Sequence, residues 1–376
     1  MIIALDENGH YEWSTNERID HRHQKYSCPA CKKVVLFRKG PRIVPHFAHL
    51  KSQACDFYSE PESVTHLSGK LQLHDCMSES VDVIFLEKYF SAIQQKADIY
   101  FEYQGKGYAI EFQCSQIPLE VFEKRTMGYY SIGITPIWVF HADMIRNNGP
   151  YEWKIPKLVQ GGRNYNDQIF LYDVNKRNLM ILSQLTPFSK GTFFLNDKII
   201  FTKTLNVTHF IQKQLLPRKY LSKWREKRYN HLFKSIRYEG LRVPFYHKLY
   251  ESGFSTFNLV PFVGIPLKNG IAIQTPVIEW QGLLFLEFIK VKTISLNGIY
   301  FIFMKMIQKK WIEIASISSI KSNPKIALQE YIDLLLEIAF FVKKGNLLLV
   351  NHSIILSIKE GEVYQVLSRS NDKVIK

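Results

Sequence analysis

The stretch that most limits how this chain can fold is QQKADIYFEYQGKGYAIEFQCSQ, residues 94–116. Residues 97–103 and 107–113 alternate polar and apolar positions on either side of QGKG, which predicts a β-hairpin closed by a Gly-containing turn. In such a hairpin Asp98 opens the first strand. Glu111 and Gln113 share one face of the second, because strand side chains two apart point the same way. Ile99, Phe101, Ile110 and Phe112 form the opposite face, turned to a core. A carboxylate within so apolar a run is costly without a partner, and a divalent cation shared by Asp98 and Glu111 would supply one. The plainer reading makes both acids partly exposed strand residues.

Upstream, SEPESVTHLSGKLQL (59–73) reads as a helix starting near Ser59, with Ser59 and Glu62 as a capping box. Glu62, His66 and Lys70 fall at i, i+4 and i+8 and so form one stripe, while Val64, Leu67 and Leu71 lie toward a core face. A polar stripe of this kind is usually a solvated helix face. Helix, strand pair, helix and strand follow one another over about 59–205, the order of an α/β domain, and the polar stretch RNNGPYEWKIPKLVQGGRNYND inside it reads as a long loop or insertion.

A second cluster, CPACKKVVLFRKGPRIVPHFAH (28–49), starts with a thiol pair and ends with an imidazole pair. Cys28 and Cys31 have the spacing of a zinc knuckle, and LFRKGPRIVPHFAH reads as a strand, a turn and a returning strand that brings His46 and His49 back to it. Cys55 follows closely and can replace either histidine, so a structural Zn²⁺ would take four of these five residues. Buried thiols beside two surface histidines are the bland alternative. A thioredoxin-like redox pair fits less well, since no βαβ pattern frames it.

Charge is divided unevenly. Residues 1–150 hold 16 Lys+Arg against 18 Asp+Glu, whereas residues 151–376 hold 33 against 16. The excess of +15 therefore belongs wholly to the later part of the chain and calls for an anionic partner there. The densest basic stretch, FIQKQLLPRKYLSKWREKRYNHLFKSIR (210–237), has nine Lys+Arg and a single acid, Glu226, with aromatics interleaved. A helix after Pro217 would array Lys223, Arg225, Lys227 and Arg228 around a stripe containing Tyr220, Trp224, Leu232 and Phe233. Read as a nucleic-acid-binding element, it offers those cations to phosphates and an exposed Trp224 to single-stranded bases. Read plainly, it is an amphipathic helix with its aromatics in a core. Beyond it, runs such as LLFLEFI and IYFIFMKM look like strands in a mixed region.

The opening MIIALDENGH lacks the features of a signal peptide, and the best apolar run, YIDLLLEIAFFV, is short and carries Asp333 and Glu337, so no membrane span is expected. Five cysteines form no disulfide framework, and the expected location is cytoplasmic. Three regions are expected: a zinc module at 1–58, an α/β domain at 59–205 and a basic, partly helical domain at 206–376.

Taken together, CPAC, HFAH, Cys55, ES with HLSGKL, ADI, EFQCS, and then Arg125, Tyr129 and Trp138 in KRTMGYYSIGITPIWVF resemble the competence protein CoiA family over residues 28–140. The resemblance implies a restriction-endonuclease-like PD-(D/E)xK core and a role in genetic transformation, acting on incoming DNA after its uptake. It implies Mg²⁺ or Mn²⁺ at Asp98 and Glu111 with the Phe112 carbonyl, and Glu62, His66 and Lys70 contributed by the helix. Gln113 stands where the motif has lysine and cannot supply its charge, so Lys70 would have to. Arg125 would clamp a neighbouring phosphate. Two functions follow: a metal-dependent deoxyribonuclease, or a DNA-binding recombination accessory that keeps the fold without turnover and works with recombination proteins. A transcription factor fits less well, because the Cys/His module lies in the acidic part and lacks a reading helix.

Overall fold

The computed structural model describes residues 1–41, 43–50, 62–164, 166–195, 198–201, 205–212, 220–238, 243–315 and 323–372. The chain divides into two compact units. The first comprises Met1–Met144, Leu158–Leu182 and Ile199–Lys213, and the second the remainder. The first unit takes residues 1–58 and most of the expected 59–205 block, whose residues 145–157 and 183–198 belong to the second. Of the polar stretch read as an insertion, residues 146–157 belong to the second unit.

The first unit is organised by a mixed sheet of seven strands: β1 Val83–Leu86, β2 Ile99–Tyr103, β3 Lys106–Gln113, β4 Thr135–His141, β5 Gln168–Asp173, β6 Asn178–Ser183 and β7 Lys198–Phe201, ordered β7-β6-β5-β4-β3-β2-β1. The hairpin forms as the alternation predicts. Its turn is Gln104-Gly105, both residues in the left-handed region (φ 50° and 72°), the two-residue geometry whose twist suits a hairpin. Helix α1 (Val64–Ser78) precedes β1, and helix α2 (Leu119–Ser131) crosses from β3 to β4, as two parallel strands require. The two faces of the hairpin separate cleanly. Ile99, Phe101, Ile110 and Phe112 join Leu67, Leu73 and Met77 of α1 in one core, while Tyr100 and Ala109 pack with Tyr129 of α2 in another. Close approach of α1 to β3 depends on Gly69, where a Cβ would lie 2.1 Å from the Phe112 ring.

Helix α1 begins later than expected. Its N-cap is Ser63, whose hydroxyl accepts from the His66 amide at 3.1 Å, so Glu62 precedes the helix. Ser59 lies outside the described residues. The amino-terminal region forms a five-stranded antiparallel sheet in the order Tyr11–Trp13, Ile3–Leu5, Tyr26–Ser27, Val34–Gly40, Ile43–His49.

The second unit is mostly helical around a large aromatic core that includes Trp224, Trp280, Phe285 and Tyr331. LLFLEFI and IYFIFMKM are helical here, in Val277–Phe288, which Ile289 caps, and in Leu296–Gln308. A continuous apolar run fits a helix buried on all sides as well as a strand, and Val277–Phe288 is buried along nearly its whole length. Among the described residues no helix is long and apolar enough to cross a membrane.

Candidate active site and metal centre

Where α1 meets the start of β2, charged side chains converge out of water. His66 Nε2 lies 3.2 Å from Asp98 Oδ2, and its Nδ1 lies 3.6 Å from Glu62 Oε1. Lys70 is fully buried; its ammonium donates to Glu62 Oε1 and to Glu87 Oε1, both at 2.6 Å, and sits 3.6 Å from Asp98 Oδ1. The stripe is therefore no solvated face. Asp98 Oδ2 also accepts the Phe112 amide at 2.9 Å, which ties the mouth of the hairpin to the cluster.

Glu87, which the sequence reading missed, is the second anchor of Lys70. It follows β1 with φ 54°, a strained conformation for a side-chain-bearing residue. Its Oε2 accepts the amides of Ile2 and Ile3 at 2.8 and 3.1 Å, and Lys96 Nζ lies 3.2 Å from Oε1. The available signal was a lone acid ending the apolar run VIFL.

The ionisation of the group follows from these contacts. Burial alone would raise the Glu87 carboxyl, but Lys70 and Lys96 outweigh it and bring it down to about 2. Asp98 is likewise held well below the carboxylate range, against its burial, by His66 and Lys70. Burial would lower His66, yet the Asp98 carboxylate raises it; Lys70 is raised, against its burial, by Glu62, Glu87 and Asp98. Glu62, Glu87 and Asp98 thus face Lys70, Lys96, the His66 ring and the amino-terminal ammonium, which lies 2.9 Å from Glu62 Oε2.

Glu111 is not shared with Asp98. It projects to the α2 side, where one carboxylate oxygen accepts from the Arg125 guanidinium and the other from the Tyr129 hydroxyl. Burial pushes its carboxyl up, and the same carboxylate lifts Arg125 against burial. Arg125 also donates to the Lys96 carbonyl at 3.2 Å, so it faces inward and is not a free phosphate clamp. Trp138 fixes α2 from below by donating to Thr126 Oγ1 at 3.0 Å. Gln113, expected beside Glu111, turns away: its amide donates to the Ser115 carbonyl at 2.9 Å. The donor atoms that do converge, within 4.8 Å of one another, belong to Glu62, His66 and Asp98.

A second convergence involves Cys28, Cys31 and His49, also within 4.8 Å, with Cys31 Sγ 3.9 Å from His49 Nε2. His46 is not part of it. In a strand, residues three apart face opposite ways; His49 pairs with the buried Val35 and His46 with the exposed Arg38. The His46 ring instead bonds the Val44 carbonyl at 2.8 Å. Burial raises the Cys28 thiol and lowers His49; a cation bound there would take the thiols as thiolates and the imidazole in its neutral form. Cys55 lies outside the described residues.

In the second unit the basic helix spans Leu221–Tyr238, and its inward and outward sides are not those expected of it. Trp224 is fully buried and donates to the Gly264 carbonyl at 2.8 Å, so it cannot stack on a base. Arg228 is buried as well, donating to the carbonyls of Val260 and Val263. The other three cations are paired: Lys223 with Glu226 at 2.9 Å, Arg225 with Glu360 at 2.6 Å and Lys227 with Glu152 at 2.9 Å. Aromatics at helical spacing went to the core here. The outward ones are Tyr229 and Phe233.

Three family descriptions match the chain in succession: "Competence protein CoiA, N-terminal domain" over residues 10–58, "Competence protein CoiA, nuclease-like domain" over 62–215, and "Competence protein CoiA, C-terminal domain" over 216–352. A curated relative, "Competence protein CoiA" of Bacillus subtilis (strain 168), is 27% identical over 278 residues, covering 72% of this chain and 73% of the relative. No solved structure matches. With all three parts matched in order, and with the nuclease-like match spanning the carboxylate cluster, the chain belongs to the competence protein CoiA family.

Proposed function

We propose that this protein is a divalent-metal-dependent deoxyribonuclease that processes DNA during genetic transformation. The observation that carries the reading is the convergence of Glu62, His66 and Asp98 where α1 meets the hairpin, within the segment matching a nuclease-like domain. Two carboxylates and an imidazole suit Mg²⁺ or, better, Mn²⁺. Bound there, the ion would polarise the scissile phosphate and make hydroxide available from water at neutral pH. The order of α1, the strands β1–β3, α2 and the parallel β4 agrees with a PD-(D/E)xK core.

The chain's own residues divide the remaining work. Lys70, 3.6 Å from Asp98, brings the positive charge that Gln113 lacks. Glu87 holds Lys70 from behind, and Glu111 holds Arg125 against the β3 side of the site. The pure protein should cut labelled DNA when Mn²⁺ or Mg²⁺ is added and not otherwise. Asp98→Asn and His66→Ala should each remove cleavage while circular dichroism stays that of the parent; turnover unchanged in Asp98→Asn would overturn this site.

A second reading, a DNA-binding accessory of recombination without turnover, is favoured by one observation: both oxygens of Asp98 already face protein cations or donors. DNA retained but never cut in either metal would establish it. In both readings Cys28, Cys31 and His49 supply three ligands of a structural zinc. Elemental analysis should find about one zinc per chain. His49→Ala should lose it and His46→Ala should keep it, and loss in both would restore His46 as a ligand.

A further inference from the structure

The second unit carries an open groove of about 590 Å³ whose lining includes Arg225, Arg228, Tyr229, Pro261, Ile358 and Glu360. The lining also holds Glu226, which pairs with Lys223 at 2.9 Å, and with Glu360 on Arg225 this leaves Arg228 as the lining cation without an acid of its own. Arg228 is only 7% exposed, and its Nε and Nη2 donate to the carbonyls of Val263 and Val260 at 2.6 and 2.9 Å. Among the described residues no carboxylate lies within ion-pair distance of it. A guanidinium out of water with only two carbonyls is poorly compensated. The acid whose charge reaches it, Glu360, is bonded to Arg225 at the rim, 2.6 Å away. Two further buried donors, the hydroxyls of Tyr331 and Tyr364, are without hydrogen-bond partners among the described residues and lie within the electrostatic reach of Arg228.

The aromatic surface beside the groove is equally unpartnered. Tyr229 is 63% exposed; Phe233, one helical turn further on, is 54% exposed, and Phe257, 72% exposed, packs edge-on against Phe233 with centroids 6.3 Å apart. Tyr229 lines the groove together with Arg228, and Phe233 and Phe257 extend the exposed aromatic surface beyond it, which calls for a ligand that is both anionic and flat-faced.

We propose that the groove holds a phosphodiester of single-stranded DNA between Arg228 and Arg225, with neighbouring bases stacked on Tyr229, Phe233 and Phe257. Single strands meet the requirement because their bases present free π-faces, which duplex bases do not. The partner's charge agrees with the region's own, since residues 151–376 hold 33 Lys+Arg against 16 Asp+Glu. Glu360 occupies the phosphate's place at Arg225 and must yield it. The inference rests on DNA being the ligand of this protein, as proposed above, and assigns it a site apart from the carboxylate cluster.

The test is fluorescence anisotropy of the full chain with labelled oligo(dT) and with an abasic strand of equal length, without added divalent cation so that cleavage does not intervene. Tyr229→Ala/Phe233→Ala/Phe257→Ala should weaken oligo(dT) binding by about tenfold or more and leave the abasic strand nearly unaffected. Arg225→Ala should weaken both strands several-fold. Glu360→Gln should tighten both, a gain that loss of structure cannot mimic; all these side chains are at least partly exposed, so the variants should fold. If the parent binds or cuts DNA but every variant matches it, the groove fails while the nuclease reading stands. If the parent neither binds nor cuts DNA, both fail. Binding of inorganic phosphate without affinity for oligo(dT) would also overturn the inference.

Discussion

Helix α1 and the basic helix Leu221–Tyr238 both carry cations at helical spacing, yet they treat them in opposite ways. In α1 the His66–Lys70 stripe is turned inward, and Lys70 reaches zero exposure among three carboxylates. In the basic helix the inward positions went to Trp224 and Leu232, and three of the four central cations pair with acids at or near the surface. The difference does not lie in the helices. It lies in what arrives opposite them: Glu87 and Asp98 meet α1 from the ends of two strands of one sheet, while the cations of the basic helix meet the exposed Glu226 and the half-buried Glu360 and Glu152. A buried ammonium requires a buried carboxylate within reach.

The comparison breaks most sharply at Lys70. Lys70→Met keeps much of the volume but leaves Glu62, Glu87 and Asp98 facing one another without it, and urea unfolding should show a loss of about 3–5 kcal/mol. Stability equal to the parent's would mean that the three acids are not charged together. A smaller effect should appear on acidification. The Glu87 carboxyl takes up its proton near its ordinary value when unfolded but only at about 2 when folded, so between those values the unfolded chain binds more protons. Stability should therefore fall as pH drops from about 4.5 to about 2, by on the order of 3 kcal/mol from this group, and the slope should flatten in Lys70→Met. A melting temperature independent of pH across that window would contradict the burial of a paired Glu87. At the other end, Lys223→Ala removes a fully solvated pair and should leave the thermal midpoint where the parent's lies. A clear shift there would show that the surface pairs of the basic helix are structural after all.

Local pattern carried the hairpin. Alternation placed Ile99, Phe101, Ile110 and Phe112 on the core side, and a two-residue left-handed turn closes it, because strand period and turn chemistry act over a few residues. The Cys28–Cys31 knuckle and the return of His49 were legible for the same reason. His46 was not, since whether H-x-x-H can converge depends on the backbone: in a strand it splits across two faces. Continuous apolar runs misled as strands because burial on all sides erases periodicity, as in Val277–Phe288.

By itself, then, the sequence determined which segments alternate, which are amphipathic, where the thiols sit and where positive charge accumulates. Tertiary structure alone decided the partners. Glu111 went to Arg125 and Tyr129 rather than to Asp98, and Lys70 found Glu87, seventeen residues away. Arg228 was taken out of solvent. The physical reason is range: backbone preference and hydrophobic period are properties of neighbouring residues, whereas the energy of a buried charge is set by whatever group the fold brings within a few ångströms of it.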